Sequence, residues 1–275
     1  MNRGDADLER YLSRIGVAAS DVRQQDVETL ERLQRAHVTT VPFETLSITG
    51  DPYGERDGEG VSLSLPALYE KIVERRRGGF CYELNGLFGW LLDEMGFDVE
   101  RRAARVVSDG EARPPANHLT TLVSLDRPYL ADVGLGVPVM RRPLPLDGTV
   151  REDAAGVRWR VVESDRPDAD YVSQFRTPDE EAWTDRFVFR DAPRELDYFE
   201  ATCEFLQRAP ESPFTGDPVV SIAVDEGHRK LTPGTLTEHP HGETTETSLA
   251  GEAWHDVLER EFGVRYGERE ERAGR

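Results

Sequence analysis

Cysteine, lysine and long apolar runs are scarce in this sequence of 275 residues. The two cysteines, Cys81 and Cys203, exclude a disulfide framework and form no Cys-x-x-Cys pair, so we expect reduced thiols. No apolar run approaches the roughly 18 residues that a membrane span needs. Residues 1–16 contain no apolar signal-peptide core. We therefore expect a cytoplasmic protein that does not bind membranes.

Basic residues are outnumbered by acidic ones, 34 Lys and Arg against 53 Asp and Glu, and the net charge is -19. Such a surface repels nucleic-acid phosphates and anionic membranes, so neither is an expected partner. The basic residues are arginines except at Lys71 and Lys230. Acid-rich, lysine-poor surfaces resemble those of proteins from a high-salt cytoplasm, where salt screens the self-repulsion. We hypothesise that this protein is halophilic.

Hydrophobic periodicity divides the chain into a helical first part, a middle part of strands and a mixed last part. Helical spacing predicts helices over residues 8–15, 27–33, 65–73 and 81–95. Ser64 is the expected cap of the third of these helices, and residues 41–43 are turn-like. From about Phe97 short strands predict a small barrel or sandwich. The last part combines helices over 196–206 and 254–262 with strands from 219, and the charged tail 267–275 is predicted to be disordered.

The segment around Cys81 is the strongest candidate for chemistry. Gly78 and Gly79 allow a tight turn that places Cys81 at the start of a helix. Unsatisfied N–H groups and the positive dipole end at that position favour the reactive thiolate. Backbone N–H groups there also suit an oxyanion. A buried, unreactive cysteine is the alternative, and it is the expected state of Cys203 on the apolar stripe of its own helix.

A cysteine nucleophile needs an imidazole base and a carboxylate that orients it. His118 opens a strand, and Asp132 lies within the apolar run of the next one, where a carboxylate needs a partner. A two-residue loop between the strands places Asp132 opposite Thr121, on the face away from His118. A three-residue loop places it opposite Thr120 and beside His118, so this triad predicts an odd-length loop or a bulge.

The other histidines are weaker candidates. His37 and His255 are expected to be surface or satisfied core residues. The pair His239 and His241 lies near acidic residues, but no further ligand joins it at metal-binding spacing, so no metal site is predicted.

The segment Arg77 to Phe88, Arg-Gly-Gly-Phe-Cys-Tyr-Glu-Leu-Asn-Gly-Leu-Phe, resembles the active-site signature of the arylamine N-acetyltransferases. Four further landmarks follow the order of that family. They are residues 41–44, the strand that His118 opens, residues 131–136 and residues 210–214. The resemblance extends from about Leu8 to Val264.

The resemblance implies an α+β fold with a cysteine-protease-like catalytic core. Its parts are a helical bundle at 1–97, a β-barrel at 98–192 and an α/β lid at 193–275. In the implied ping-pong reaction, Cys81 attacks acetyl-CoA with His118 as base and Asp132 orienting the imidazole. An arylamine or arylhydrazine then cleaves the acetyl-cysteine. Acetyl-CoA is a co-substrate, no cofactor is tightly bound, and a monomer or small homo-oligomer is expected.

The resemblance also implies roles around the nucleophile. Phe43, Leu135, Gly136 and Phe214 are expected to contact substrate, whereas Arg77 and Glu44 are expected to form a structural ion pair nearby. Leu135 is a departure, because the family usually has an aromatic residue between the two glycines after the aspartate. An aliphatic side chain there weakens stacking against an aromatic acceptor. The segment Gly134 to Gly136 alone is weak evidence for a phosphate-binding loop.

Two other functions share the same catalytic residues. A thiol hydrolase differs only in letting water reach the thioester, which depends on packing. A relative that forms an amide within a larger biosynthetic intermediate is the second alternative. A binding role without catalysis is disfavoured, since all three triad candidates are present.

The charge imbalance yields a prediction about salt. If acidic self-repulsion limits stability, screening by molar KCl will raise the melting temperature by several degrees above its value in low salt. A thermal melt by circular dichroism checks this, and an unchanged melting temperature contradicts the halophilic hypothesis.

Overall fold

The computed structural model of the protein describes residues 8–54, 57–240 and 243–267. The predicted disordered tail lies outside these residues apart from Gly267. The first third contains helices, of which all but the short α3 were predicted: α1 (Leu8–Arg14), α2 (Val27–Val38), α3 (Leu46–Thr49), α4 (Leu65–Tyr69) and α5 (Cys81–Glu94). Within the described residues, no helix is long and apolar enough to cross a bilayer.

Local sequence explains where these helices begin. Asp26 caps α2 by accepting a hydrogen bond from the backbone N–H of Thr29 at 2.8 Å. Ser64 stands at the start of α4, but its side chain makes no capping hydrogen bond, so that part of the prediction is wrong. The helix instead begins with Pro66 in its first turn, where a missing N–H has no cost. After Tyr69 it continues as a single π-turn over Glu70–Glu74.

Helix α5 lies at the centre of the molecule. Its residues from Cys81 through Leu92 are all buried, as expected for a helix that is covered on every side. One face packs against α1 and α4, and another packs against the sheet of the middle part. The nucleophile candidate is therefore the first residue of the most enclosed helix in the bundle.

The middle part is an antiparallel sheet that nearly closes into a barrel. Its strands are β2 (Asp98–Ser108), β3 (Glu111–Ala112), β4 (His118–Ser124), β5 (Pro128–Ala131), β6 (Leu144–Pro145), β7 (Arg151–Glu152), β8 (Arg158–Glu163), β9 (Tyr171–Arg176) and β10 (Thr184–Arg194). The order is β6-β5-β4-β2-β10-β9-β8-β7, with β3 paired to β2. Trp159, Phe187 and Phe189 fill the interior.

The β4–β5 hairpin decides the register question posed by the sequence. Ser124 pairs with Pro128 and Thr121 pairs with Ala131, which leaves a three-residue loop over 125–127. Continuing this register brings Asp132 level with Thr120, on the face that His118 shares. The odd-length loop is therefore the one that forms.

The last part is a second antiparallel sheet with helices. A 3₁₀ turn (Leu196–Phe199) leads into α6 (Glu200–Arg208), and four strands and a helix follow: β11 (Val220–Val224), β12 (Gly227–Thr232), β13 (Thr235–Pro240), β14 (Thr245–Ser248) and α7 (Glu252–Phe262). Trp254, Leu258 and Phe262 bury the apolar face of α7 against the sheet. The α+β fold predicted from the sequence is confirmed.

The segment predicted as turn-like at 41–43 is partly extended. Phe43–Glu44 forms a short strand, β1, that pairs with β11 at the edge of the second sheet. The same segment also bridges to Gly79, where the Glu44 N–H donates to the carbonyl of Gly79 at 2.9 Å. The turn prediction holds at Val41, which is a bend, and is wrong at Phe43, where long-range pairing with β11 and Gly79 overrides the local turn preference of Pro42. The three-part division stays a prediction, and this strand connects its first and last parts.

Gly78 is required by this close approach. A Cβ atom at Gly78 would lie 2.1 Å from the carbonyl oxygen of Pro42. We predict that Gly78→Ala lowers the free energy of unfolding by about 1–3 kcal/mol, because the backbone must shift to admit the methyl group. Gly216→Ala is the matched control, since no atom lies within 4 Å of its added Cβ. Equal urea midpoints for the two variants would contradict the prediction.

Candidate active site

Cys81 is held at the start of α5 by the turn before it. Phe80 precedes the helix in an extended conformation, and its backbone N–H donates to a carboxylate oxygen of Glu83 at 3.1 Å. The Cys81 side chain is 3% exposed, and its Sγ lies 3.9 Å from the carbonyl oxygen of Asn117. The thiol therefore faces the start of β4, where His118 lies.

His118 and Asp132 form a buried pair. The Nε2 atom of His118 lies 2.7 Å from Oδ2 of Asp132, and neither side chain is more than 2% exposed. The remaining ring nitrogen, Nδ1, is left for a second partner. His118 also packs against the ring of Phe187, 5.0 Å between centroids, which restricts the imidazole from the barrel side.

Asp132 is positioned by α5 as well as by its own strand. Asn85, one helical turn after Cys81, donates from Nδ2 to Oδ1 of Asp132 at 2.9 Å. The backbone N–H of Gly134 donates to the same oxygen at 2.9 Å. Asn85 also accepts from the backbone N–H of Val133 at 2.8 Å. The sequence reasoning missed Asn85, although an amide four residues after the nucleophile, within the apolar stretch of the helix, was an available signal.

Charge and hydrogen bonds set the protonation of Asp132. Burial alone would raise its pKa, but the charge of His118 and the hydrogen bonds from His118 and Asn85 outweigh burial and lower it. The carboxylate is therefore ionised at neutral pH and stabilises a protonated imidazole.

The thiol of Cys81 behaves differently from the expectation for a helix start. Burial raises its pKa well above the usual value, and the negative charge of Asp132 raises it further. Hydrogen bonds from the backbone N–H groups of Leu119 and Tyr82 act in the opposite direction but do not prevail. The helix start acts in the expected direction through the Tyr82 N–H, but burial and Asp132 outweigh it, so the net lowering of the Cys81 pKa expected from the sequence does not occur. A thiolate has to form together with proton transfer to a base.

A cavity of about 570 Å³ opens onto Cys81 and His118. It is lined largely by apolar side chains, and the four residues expected to contact substrate, Phe43, Leu135, Gly136 and Phe214, all line it. Phe43 and Phe214 pack against each other with centroids 6.2 Å apart. The remaining lining residues include Val106, Asn117, Arg113, Arg186, Glu211 and Pro213.

A buried ionic cluster lies behind the turn that carries Cys81. Arg77 donates to Glu44 at 2.8 Å, and Glu44 is also 3.5 Å from the Nζ of Lys71. Lys71 donates to Glu83 at 2.8 Å. The sequence reasoning paired Arg77 with Glu44 but missed Lys71 and Glu83. The available signal was Lys71, one of two lysines, placed between the apolar residues 68 and 72.

The carboxylates of this cluster titrate differently. Burial would raise the pKa of Glu44, but Arg77 and Lys71 lower it from 4.5 to about 2. Burial raises the pKa of Glu83, which the charge of Glu44 reinforces and Lys71 opposes. Glu44 is therefore ionised at neutral pH and is a counter-charge for both buried cations, together with Glu83 beside Lys71 and Glu59 beside Arg77.

Cys203 and the other histidines lie apart from this arrangement. Cys203 is 2% exposed and accepts from Gln207 at 3.3 Å, and burial raises its pKa to about 12. His37 is fully buried, and neither ring nitrogen has a hydrogen-bond partner, so it is not a satisfied core residue as expected. Burial lowers its pKa to about 3, and it is neutral.

The remaining histidines make separate contacts. His255 bonds to Asp51, and His239 bonds to Thr244. His241 lies outside the described residues. Among the residues that are described, no three or more metal-ligating side chains cluster.

A thiol, an imidazole and a carboxylate around one apolar cavity are typical of enzymes that form an acyl-cysteine. A family model described as N-acetyltransferase matches residues 26–270. The arylamine N-acetyltransferase of Mycolicibacterium smegmatis is 31% identical over 270 residues, which are 95% of this chain and 93% of that protein. The chain belongs to the arylamine N-acetyltransferase family, and it is an acyltransferase.

Solved structures agree with this assignment. The Mycobacterium marinum arylamine N-acetyltransferase in complex with CoA is 33% identical, with a TM-score of 0.81 over 94% of this chain and 93% of that chain. An arylamine N-acetyltransferase from Bacillus cereus is 25% identical, with a TM-score of 0.82 over 94% of this chain and 98% of that chain. Its catalytic triad is described as a unique Cys-His-Glu triad, whereas in this chain the carboxylate on His118 is an aspartate.

The ionic cluster makes a prediction about acid stability. The pKa of Glu44 is depressed in the folded state, so its ionised form stabilises the fold. This contribution to the free energy of unfolding is present above pH about 5 and is lost as the pH falls toward 2. Up to roughly 3 kcal/mol is lost over that range. In Glu44→Gln this pH dependence should largely disappear. At neutral pH the variant should lose about 3 kcal/mol, because the buried Arg77 loses its carboxylate partner at 2.8 Å and keeps Glu59 at 3.3 Å, while Lys71 keeps Glu83.

Urea unfolding at a series of pH values measures both effects. Glu238→Gln is the control, since Glu238 forms a partly exposed pair with Arg229 and should cost under about 1 kcal/mol. An acid profile for Glu44→Gln that is parallel to the wild type would show that Glu44 does not have this role.

Proposed function

We propose that the protein transfers the acetyl group of acetyl-CoA to the amino group of an arylamine or arylhydrazine through a thioester on Cys81. The observation that carries the proposal is the buried His118–Asp132 pair at the same cavity as Cys81. Membership of the family supports the choice of reaction, and the CoA complex of the M. marinum relative supports the choice of co-substrate.

In the first half-reaction, Nδ1 of His118 takes the proton from Sγ of Cys81. Because burial and Asp132 disfavour an isolated thiolate, proton transfer accompanies attack on the thioester carbonyl. The bond from Sγ to the acetyl carbon forms, and the bond from that carbon to the sulfur of CoA breaks. The imidazolium returns its proton to the departing CoA thiolate. Asp132 stabilises the imidazolium throughout, as its lowered pKa allows.

In the second half-reaction, the amine nitrogen attacks the acetyl carbon on Cys81. His118 takes a proton from the nitrogen and gives it to the departing Sγ, so the enzyme returns to its starting state. The acceptor ring lies among Phe43, Phe214 and Leu135 in the apolar cavity. Leu135, which is 4% exposed, offers an aliphatic contact in place of a stacking face.

The chemistry also bears on location and partners. A catalytic thiol has to stay reduced, and Cys81 and Cys203 are both free, which supports a reducing compartment such as the cytoplasm. The net charge of -19 supports partners that are small molecules rather than nucleic acids or anionic membranes. A monomer or a small homo-oligomer is compatible with a cavity formed within one chain.

Intact mass spectrometry tests the central step. After mixing with acetyl-CoA and no amine, the wild-type protein should gain the mass of one acetyl group, because the thioester has no acceptor. Cys81→Ala should gain nothing, and its turnover should fall by at least about 1,000-fold, as when a nucleophile is removed. Cys203→Ala is the matched control and should acetylate like the wild type.

Release of CoA with and without an arylamine separates transfer from hydrolysis. Steady release that depends on the amine supports the transferase. Steady release without any amine would mean that water cleaves the thioester and that the protein is a hydrolase. Full turnover by Cys81→Ala would refute the role of Cys81.

A further inference from the structure

Arg186 lies at an irregularity of β10 beside the proposed active site. Asp185 pairs with Gln174 and Phe187 pairs with Ser173, so Arg186 is an extra residue without a partner on β9. Such a bulge changes the direction of a side chain that strand alternation would send to the other face, and bulges are frequent beside active sites. Here Arg186 lines the cavity that contains Cys81 and His118.

The Arg186 guanidinium has no neutralising partner in the part of the chain that the structure describes. Its Nε is buried without a hydrogen-bond partner, and within residues 8–54, 57–240 and 243–267 no carboxylate forms an ion pair with it. Burial lowers its pKa, and the more distant charge of Asp132 acts in the opposite direction. An arginine that is partly withdrawn from water and unpaired is costly for the fold. A ligand that carries a negative charge would satisfy it.

The rest of the cavity suits a ring with an anionic substituent. Most of its lining is apolar, with Phe43 and Phe214 on one side. The charged residues that line it besides Arg186 are Arg113 and Glu211, both exposed. In a chain of net charge -19, a cationic site is needed to attract an anionic substrate.

The position of Arg186 indicates that its negatively charged partner is a group on the acceptor and not a phosphate of CoA. Arg186 lines the same cavity of about 570 Å³ as Cys81 and His118, so its guanidinium is within that cavity's reach of the reacting atoms. The phosphates of CoA are separated from its sulfur by the whole pantetheine arm, so they lie far from the reacting atoms when the thioester meets Cys81. An amine attacking acetyl-Cys81 carries its ring substituents directly into the cavity.

We propose that Arg186 is a specificity residue that binds a carboxylate on the acceptor, and that the preferred acceptors are arylamines with a ring carboxylate. This inference rests on the proposed function. Arginine matches a carboxylate with two parallel N–H···O bonds, which lysine does not. The apolar wall holds the ring, and Arg186 fixes its orientation while the amino group faces Cys81.

The test compares 4-aminobenzoate with 4-aminobenzamide, which has the same ring and a neutral substituent of similar size. In the wild type, kcat/KM should favour 4-aminobenzoate by about tenfold or more, the usual effect of a charge-assisted hydrogen bond. Arg186→Met should reduce this preference to near one, because kcat/KM should fall much further for 4-aminobenzoate than for 4-aminobenzamide. Arg186→Lys should retain part of the preference.

Arg190→Met is the matched control, because Arg190 is an exposed arginine on the same strand that donates to the Pro167 carbonyl. It should keep the wild-type preference. The wild-type ratio needs no variant, so the proposal remains testable even if Arg186→Met does not fold.

The amount of acetyl-Cys81 formed from acetyl-CoA alone is measured first. If none forms, the proposed function fails before the acceptor is tested. If it forms but the wild type does not prefer 4-aminobenzoate, or Arg186→Met slows both acceptors equally, the inference about Arg186 is overturned.

Two further results would place the anionic group that binds Arg186 on another substrate, and each would also overturn the inference. One is slower acetylation by acetyl-CoA in Arg186→Met with the acceptor preference intact, which would place the CoA phosphates on Arg186. The other is a wild-type preference for malonyl-CoA over acetyl-CoA that the variant loses, which would place the carboxylate on the acyl donor.

Discussion

The carboxylate of Asp132 is the group on which the rest of the site depends. It is completely buried, and its charge is stabilised by His118, by Asn85 and by the backbone N–H of Gly134. Since burial disfavours a free thiolate at Cys81, the imidazole has to accept the thiol proton, and a buried imidazolium requires this negative charge beside it. The reactivity of Cys81 thus depends on proton transfer to His118. The start of α5 positions the thiol and has less effect on its pKa.

Position in turn depends on how closely α5 meets the segment after β5. A Cβ atom at Gly134 would lie 2.8 Å from Cα of Cys81, so the two backbones are nearly in contact there. Asn85 links both sides, because its amide bonds to Asp132 and to the Val133 N–H. On the opposite side, Glu44 and Glu83 hold Lys71 and Arg77 beneath the glycine turn. The nucleophile is therefore fixed from the barrel and from the bundle at once.

The cavity has a largely apolar lining, and its charge differs from that of the rest of the protein. A protein whose surface is strongly acidic places two arginines, Arg113 and Arg186, in the wall of the cavity that contains its proposed nucleophile. At the bulge in β10, one extra residue, Arg186, contributes its side chain to the wall of this cavity. Specificity can thus change along one strand while the Cys-His-Asp arrangement stays the same.

Much of this protein follows from its sequence alone. Apolar periodicity predicted α2, α5 and α7, because each buries one stripe or its whole surface, and the segment from Arg77 to Phe88 identified the nucleophile candidate and the family. The tertiary structure determined the strand pairings and buried contacts that no local sequence pattern encodes. Phe43–Glu44 is a strand only because it pairs with β11, and the three-residue loop determines which face of the sheet Asp132 lies on. Burial raises the pKa of Cys81, which the sequence alone predicted to be lowered. Lys71 and Asn85 acquired their roles from partners 12 and 47 positions away, and Arg186 acquired its role from a bulge, since burial and charge depend on groups that only the folded chain brings together.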